Sequence, residues 1–453
     1  MPNICSSISS MGVMLNLLRD RLFSLQRLRE AFRFMRGNML VLSLTQLLGN
    51  FSRAMAFPYT SLYILALGGQ AEQVGFITAL SPLMGLVLFP IAGHITDNAG
   101  RVRIIAFSYY LSGSFLLLFV LAPTWQWIAV AMLLRGVMAL QFPARSAMIA
   151  DSLTPEERGT GVATMNTIAG TLSIVAPYVA GKIVESYGPN WGVRVLYAVM
   201  LILYISSGFI TQRYLQETAV NTDRRIDVAA LRQSFVDAYG GLWDLLRSVP
   251  PVVLALTGVI ILCFMTNGIT SAFWVVYAVE KTGLSPVTWG LILLLETLAR
   301  NVLFIPGGIL VDRLGRAVAL GTALVLALLA MPLFVLVSGF VGVLLVRLLL
   351  ILAQVLLIPA SIALMADTIP RRIRGRVMAA TGQGGVMLGA AGGGTGGPGT
   401  GYLITIPLML SSVAGGYLYA LNPAYPWYVA AGLMLLAIGV TVGFIRDVQR
   451  AET

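Results

Sequence analysis

The sequence predicts an all-α membrane protein of twelve transmembrane helices arranged as two pseudo-symmetric six-helix bundles. Three observations point to it. Hydrophobic residues make up 57% of the 453 and charged residues 11%, with a mean hydropathy of +0.85, well outside the range of soluble domains. Twelve runs reach the roughly 20 apolar residues that a helix needs to cross a bilayer. Motif positions in the first half recur in the second about 215 residues on, the mark of an internal repeat.

The same composition sets limits on function. The formal charge is +11, but the basic residues are scattered between apolar runs, so membrane topology explains them and nucleic acid is not expected as a partner. Two cysteines, Cys5 and Cys263, form no framework, and one histidine, His94, leaves no cluster for a metal. No catalytic residue, cofactor or metal site is therefore expected. The expected partners are a small-molecule substrate, protons as coupling ion and the lipid bilayer, around a monomer.

Residues 1–36 carry Arg19, Arg21, Arg27, Arg29, Arg33 and Arg36 among Leu and Phe, with no cleavage signature. They read as a basic amphipathic cytoplasmic lead-in that anchors the first helix at the inner leaflet. The N-terminal bundle is placed at 37–212, with helices at 38–65, 73–96, 104–121, 127–150, 161–184 and 193–211. Helix 1 offers Gln46, Asn50 and Arg53, whose spacing of four and three puts them on one face. Helix 2 ends in Gly93, Asp97, Gly100 and Arg101, a charged turn between two apolar runs. His94, beside it, reads as a hydrogen-bonded packing residue. Helix 4 carries Arg135 near the midplane, where an arginine has no cheap apolar alternative and reads as facing the cavity.

A polar stretch at 213–250 divides the helices six and six. The C-terminal bundle is placed at 251–446, with helices at 252–279, 287–311, 317–337, 341–366, 401–420 and 425–445, and a tail at 447–453. Helix 7 repeats the polar face of helix 1 with Asn267, Ser271 and Trp274. Helix 8 holds the mid-membrane carboxylate Glu296, one turn from Arg300 and next to Asn301. It also closes on a second copy of the turn, Gly308, Asp312, Gly315 and Arg316. Arg347 in helix 10 is read as shallow and snorkelling outward. Pro143, Ala144 and Asp151 in helix 4 recur as Pro359, Ala360 and Asp367 in helix 10, each Asp followed by Arg158 or Arg374. Eight of the thirteen residues from 389 to 401 are glycine. They form an insertion, so helix 11 either starts near Met378 and is broken or follows a flexible cytoplasmic loop. Lys and Arg gather on alternate loops, and only Lys182, Arg194 and Lys281 fall on the opposite side. Both termini and the 213–250 linker are accordingly expected in the cytoplasm of a plasma (inner) membrane protein.

Twelve helices in two halves, with Gly-x-x-x-Asp-x-x-Gly-Arg after helix 2 and again after helix 8, resemble the major facilitator superfamily of secondary transporters. Among its branches the drug–proton antiporters are the most similar. The resemblance implies that Asp97 meets the N-terminus of helix 11, that Arg101 pairs with Asp151, and that Arg316 pairs with Asp367. Together these would form a cytoplasmic latch whose breakage permits an inward-open state. A turn that merely retains Arg on the inside is the simpler alternative.

The function expected is proton-coupled, alternating-access export of small amphipathic or drug-like compounds, with substrate at the midplane between the halves. Glu296 is the favoured protonation site, since a buried carboxyl beside a cation can alternate between protonated and paired states. A self-neutralising pair with Arg300 is the structural alternative. Arg53, Arg135 and Arg300 outnumber Glu296, which motivates an organic anion, sugar or lysolipid as the alternative substrate. A membrane enzyme or receptor finds no support in any catalytic signature.

Overall fold

The computed structural model describes residues 35–445 except 220–231, 234, 237–238, 241–246, 248, 370–373, 383–384, 386–387 and 392–400. Side chains at 89–90, 93–94, 97–99, 374–376, 379 and 402 also lie outside the described set. The lead-in at 1–34, most of the 213–250 linker and the tail from 446 fall outside it as well. Among the described residues every regular element is helical. The helices form twelve spans, numbered here in chain order, and the spans form two groups of six.

Span 1 is Gly37–Ala56 continued by Thr60–Ala66, with a 3₁₀ turn at Phe57–Tyr59 where Pro58 removes a backbone donor. Span 2 is Ala71–Ala99 and span 3 is Arg101–Leu121. Span 4 joins Trp125–Leu134 to Gln141–Ser152 through a 3₁₀ turn at Arg135–Leu140. Span 5 starts with Arg158–Thr171. It then runs into Ala176–Tyr214, which reverses at Gly188 (φ 76°) and Pro189 so that its second part is span 6.

In the second half, span 7 was expected as one helix, but it is Pro251–Thr270 followed by Trp274–Glu280, broken at 271–273. Spans 8, 9 and 10 are Pro286–Leu314, Arg316–Leu336 and Gly339–Thr368. Span 11 takes the first of its two expected forms. It begins as Arg374–Thr381, leaves the helix axis, and resumes as Tyr402–Leu421. A side chain on Gly401 would overlap the Ala380 backbone, so the chain returns close to where it left. Span 12 is Tyr425–Phe444.

The end of the bundle that carries Gly100 and Gly315 is the motif end, and the opposite end is the far end. At the far end the two halves touch through small residues. A methyl group on Gly181 would strike the Pro286 carbonyl, and one on Gly290 would strike the Pro177 carbonyl, a reciprocal contact between spans 5 and 8. Tyr59 donates to the same two carbonyls, at 2.8 Å to Pro177 and 3.1 Å to Pro286. Spans 2 and 11 approach in the same way, with an added Cβ on Gly75 falling 2.6 Å from the Ser412 carbonyl. Close helix approach through glycine is how membrane helices associate when lipid offers no hydrophobic drive.

Candidate functional site

Two polar groups stand inside the bundle, one in each half. In the first half, Gln46 and Asn50 face span 5 and Arg53 faces span 6. Gln46 donates to Asn166 Oδ1 at 3.0 Å and Asn50 to the Ala169 carbonyl at 3.3 Å. Arg53 donates to Asn50 Oδ1 at 2.5 Å and to the Tyr204 hydroxyl at 3.4 Å. Arg135, at the start of the 3₁₀ turn of span 4, donates to Ser81 Oγ at 2.9 Å. Its guanidinium lies 4.1 Å from the centre of the Phe57 ring, a cation–π contact.

A third arginine belongs to this group and was not among the expected site residues. Arg145 is 7% exposed and donates to the Leu42 carbonyl, to Gln46 Oε1 at 3.1 Å, to Tyr109 at 3.3 Å and to Thr45 Oγ1 at 3.4 Å. The repeat held the signal for it, because Arg145 stands opposite Ser361 in otherwise similar segments. A cation facing a hydroxyl across the repeat marks where the halves diverge in chemistry.

In the second half the expected pairing of Glu296 is corrected. Its partner is Arg347, not Arg300: Glu296 Oε2 accepts from Arg347 Nη2 at 2.6 Å and from Nε at 2.9 Å. Arg347 is 1% exposed and therefore does not snorkel outward. Spans 8 and 10 both start at the far end, at Pro286 and Gly339, so Glu296 and Arg347 reach nearly the same depth on facing helices. A carboxylate across that interface offers the guanidinium fork a better fit than lipid does. Arg300 is half-buried and Asn301 exposed, one turn nearer the motif end.

The third nitrogen of Arg347 is also engaged. Nη1 donates to the Gly389 carbonyl at 2.7 Å, and the Gly389 amide donates to Asn267 Oδ1 at 2.9 Å. Gln354 donates to the Leu388 carbonyl. The excursion that interrupts span 11 thus presses a turn against the arginine. Indole rings of Trp274 and Trp289 lie 4.7 and 5.6 Å from its guanidinium carbon. Trp274 is fully buried and packs on Phe334 and Trp427. Ser271 Oγ, Gln354 Oε1 and the indole nitrogens of Trp274 and Trp289 are buried with no hydrogen-bond partner among the described residues. Buried polar atoms of this kind are where proteins hold internal water.

At the motif end the two copies of the turn share a backbone. Gly100 (φ 81°, ψ 136°) ends span 2, and Gly315 (φ 89°, ψ 147°) ends span 8. Side chains other than glycine are strained in that region. The arginine after each glycine is ion-paired to span 4 or span 10, Arg101 with Asp151 and Arg316 with Asp367. Arg101 also donates to Thr218 Oγ1 at 2.8 Å, and the Val102 amide to Glu217 Oε2 at 3.0 Å, tying the chain after span 6 to the same turn. Arg158 donates to the Ala150 carbonyl at 3.1 Å. A methyl on Gly308 would meet nothing within 4 Å, and Asp312 is exposed. The side chains at Gly93, Asp97 and His94, the Arg374 side chain, and with them the expected contact of Asp97 with span 11, lie outside the described residues.

Comparison with known proteins agrees with this architecture. The sequence profile described as Major Facilitator Superfamily matches residues 42–394. The chain is similar to Multidrug resistance protein 2 of Bacillus subtilis (strain 168), with 25% identity over 374 residues, 82% of this chain and 86% of the relative. Over a shorter region it is 30% identical to the multi-drug resistance efflux pump PmrA of Streptococcus pneumoniae, covering 31% of this chain and 37% of the pump. Among solved structures, the nucleoside transporter NupG (D323A mutant) superposes with a TM-score of 0.69 at 11% identity, over 90% of this chain and all of that one.

Proposed function

The chain belongs to the Major Facilitator Superfamily, and we propose that it is a proton-coupled exporter of small amphipathic compounds that works by alternating access. On this reading it lies in the plasma membrane with both termini cytoplasmic. Relatives named for multidrug resistance support the substrate class. The carrying observation is the Glu296–Arg347 pair, which holds the mid-span carboxylate among the described residues.

Both hydrogen bonds to this carboxylate end on Oε2. A proton added at Oε1 neutralises Glu296 and removes the charge–charge term that holds Arg347. The arginine is not stranded, because the Gly389 carbonyl and two indole faces still receive it. A site that tolerates both states of its carboxyl can bind and release one proton per cycle. The partnerless polar atoms beside it support a water route to the carboxyl.

The ion pairs at the motif end brace spans 2 and 3 against span 4, and spans 8 and 9 against span 10, so that each half moves as a body. The glycine contacts at the far end act as the opposing seal. Purified protein in liposomes with an imposed pH difference tests this reading, using the neutral amphipathic dye N-phenyl-1-naphthylamine. Proton-driven accumulation is expected for the native chain and not for Glu296→Gln. Persistence in Glu296→Gln overturns Glu296 as the coupling site, and no gradient-driven movement by the native chain overturns the exporter reading.

A further inference from the structure

Charge inside the bundle is unevenly shared. In the second half the carboxylate and Arg347 neutralise each other. The first half holds Arg53, Arg135 and Arg145, and among the described residues no carboxylate pairs with any of them. Their partners are neutral: an amide, hydroxyls, a backbone carbonyl and an aromatic face.

The three arginines form one group. Arg53 bonds Tyr204, Tyr204 meets Tyr109 edge to face at 5.8 Å, and Tyr109 bonds Arg145. Arg135 covers Phe57, one helical turn beyond Arg53. Like charges held close together inside the bundle repel, and no carboxylate among the described residues pairs with them.

Donor counting separates their roles. A guanidinium has five N–H donors. Arg145 is engaged by four acceptors on spans 1 and 3 and is buried, which makes it a strut between helices. Arg53 spends two donors, one of them on a long bond, and Arg135 spends one. Both are only partly buried. The unspent donors belong to the two arginines that are not struts.

We infer that Arg53 and Arg135 form a head-group site for an anionic amphiphile, a compound with one carboxylate, sulfonate or phosphate group on an apolar body. This rests on the exporter reading above and adds the sign of the substrate's charge. An acidic group set between the two guanidinia uses their free donors in charge-assisted bonds and relieves their mutual repulsion. The Phe57 ring, already under Arg135, offers the apolar body a surface. Among the described residues the mid-span carboxylate, Glu296, is already committed to Arg347, so a cation finds no free one at that depth.

The test compares three probes on the full chain in nanodiscs of neutral lipid. 8-Anilinonaphthalene-1-sulfonate carries the anion, N-phenyl-1-naphthylamine has the same rings without it, and tetraphenylphosphonium carries the opposite charge. Saturable binding of the sulfonate is expected to be at least tenfold tighter than that of the neutral dye, with tetraphenylphosphonium weakest. Arg53→Gln and Arg135→Gln should each abolish that preference while the neutral dye still binds, and Arg53→Lys should keep part of it. Retained binding of the neutral dye reports that each variant is folded. Equal binding of sulfonate and neutral dye, tighter tetraphenylphosphonium, or a preference that survives both Gln variants overturns the anionic head-group site. The exporter reading is judged separately by proton-driven movement of the neutral dye.

Discussion

Glu296 and Arg347 meet through one carboxylate oxygen, with Oε2 taking both the Nε and the Nη2 bond across two parallel spans. The two partners differ in what their loss leaves behind. Arg347→Ala strands a buried carboxylate, the Gly389 carbonyl and two indole faces, and should cost about 3–5 kcal/mol. Glu296→Gln keeps an acceptor for the guanidinium and leaves its other contacts in place, so about 1–3 kcal/mol is expected. Thermal unfolding of the detergent-solubilised variants checks the order. A loss for Glu296→Gln equal to that for Arg347→Ala would show that the carboxylate alone carries the site.

The glycines of the repeated turn should respond in opposite ways. Gly100→Ala and Gly315→Ala force a side chain into backbone at φ 81° and 89°, at a cost of about 1–3 kcal/mol each. Gly308 lies within the span 8 helix with open space at its Cβ, so Gly308→Ala should be neutral or stabilise by up to about 1 kcal/mol. Unfolding midpoints of the three variants decide this, and equal losses at all three would refute the backbone explanation.

The Arg101–Asp151 pair is partly exposed, with side chains at 18% and 42%. Such a pair contributes up to about 1 kcal/mol to stability. Asp151→Asn should therefore leave the unfolding midpoint nearly unchanged while shifting the balance between conformations. The double exchange Arg101→Asp with Asp151→Arg should restore that balance. Spin-label distances between spans 2 and 11 read the shift, and no movement in the single variant would reduce the pair to a tether for the turn.

At the far end, Gly181→Val and Gly290→Val should pry spans 5 and 8 apart, since even a methyl overlaps the facing carbonyl. Tyr59→Phe removes the one hydroxyl donor that the Pro177 and Pro286 carbonyls share at the same seam, a loss of about 1 kcal/mol. A cysteine placed at Val276, buried near that end, reports opening through its reaction with a membrane-impermeant maleimide. Faster labelling in the valine variants is expected, and unchanged labelling would mean that the seam does not bar access.

Much of the fold is legible in the sequence because its signals are local. Apolar run length marks the spans, and a recurring Gly–Asp–Gly–Arg order marks the two turns. The positive φ at Gly100 and Gly315 explains why glycine stands there in both copies. The partner of Glu296 was not legible, because Arg347 lies 51 residues away and only the relative depth of two spans brings them together. Arg145 carries its signal in a mismatch, since it stands opposite Ser361 in segments that otherwise agree. The break at 271–273 in span 7 contains neither proline nor glycine, so no local punctuation announces it.

The two sides of the interruption in span 11 meet, Gly401 against Ala380, so the residues between them close a loop. The entropy of closing a loop rises only slowly with its length. Residues between the join and the turn at Leu388 and Gly389 can therefore drift in number and composition at small cost, while the turn stays constrained by Arg347, Gln354 and Asn267. In related chains the insertion should keep Leu388 and Gly389 and vary in length and composition elsewhere, so that its tolerance is uneven along the loop.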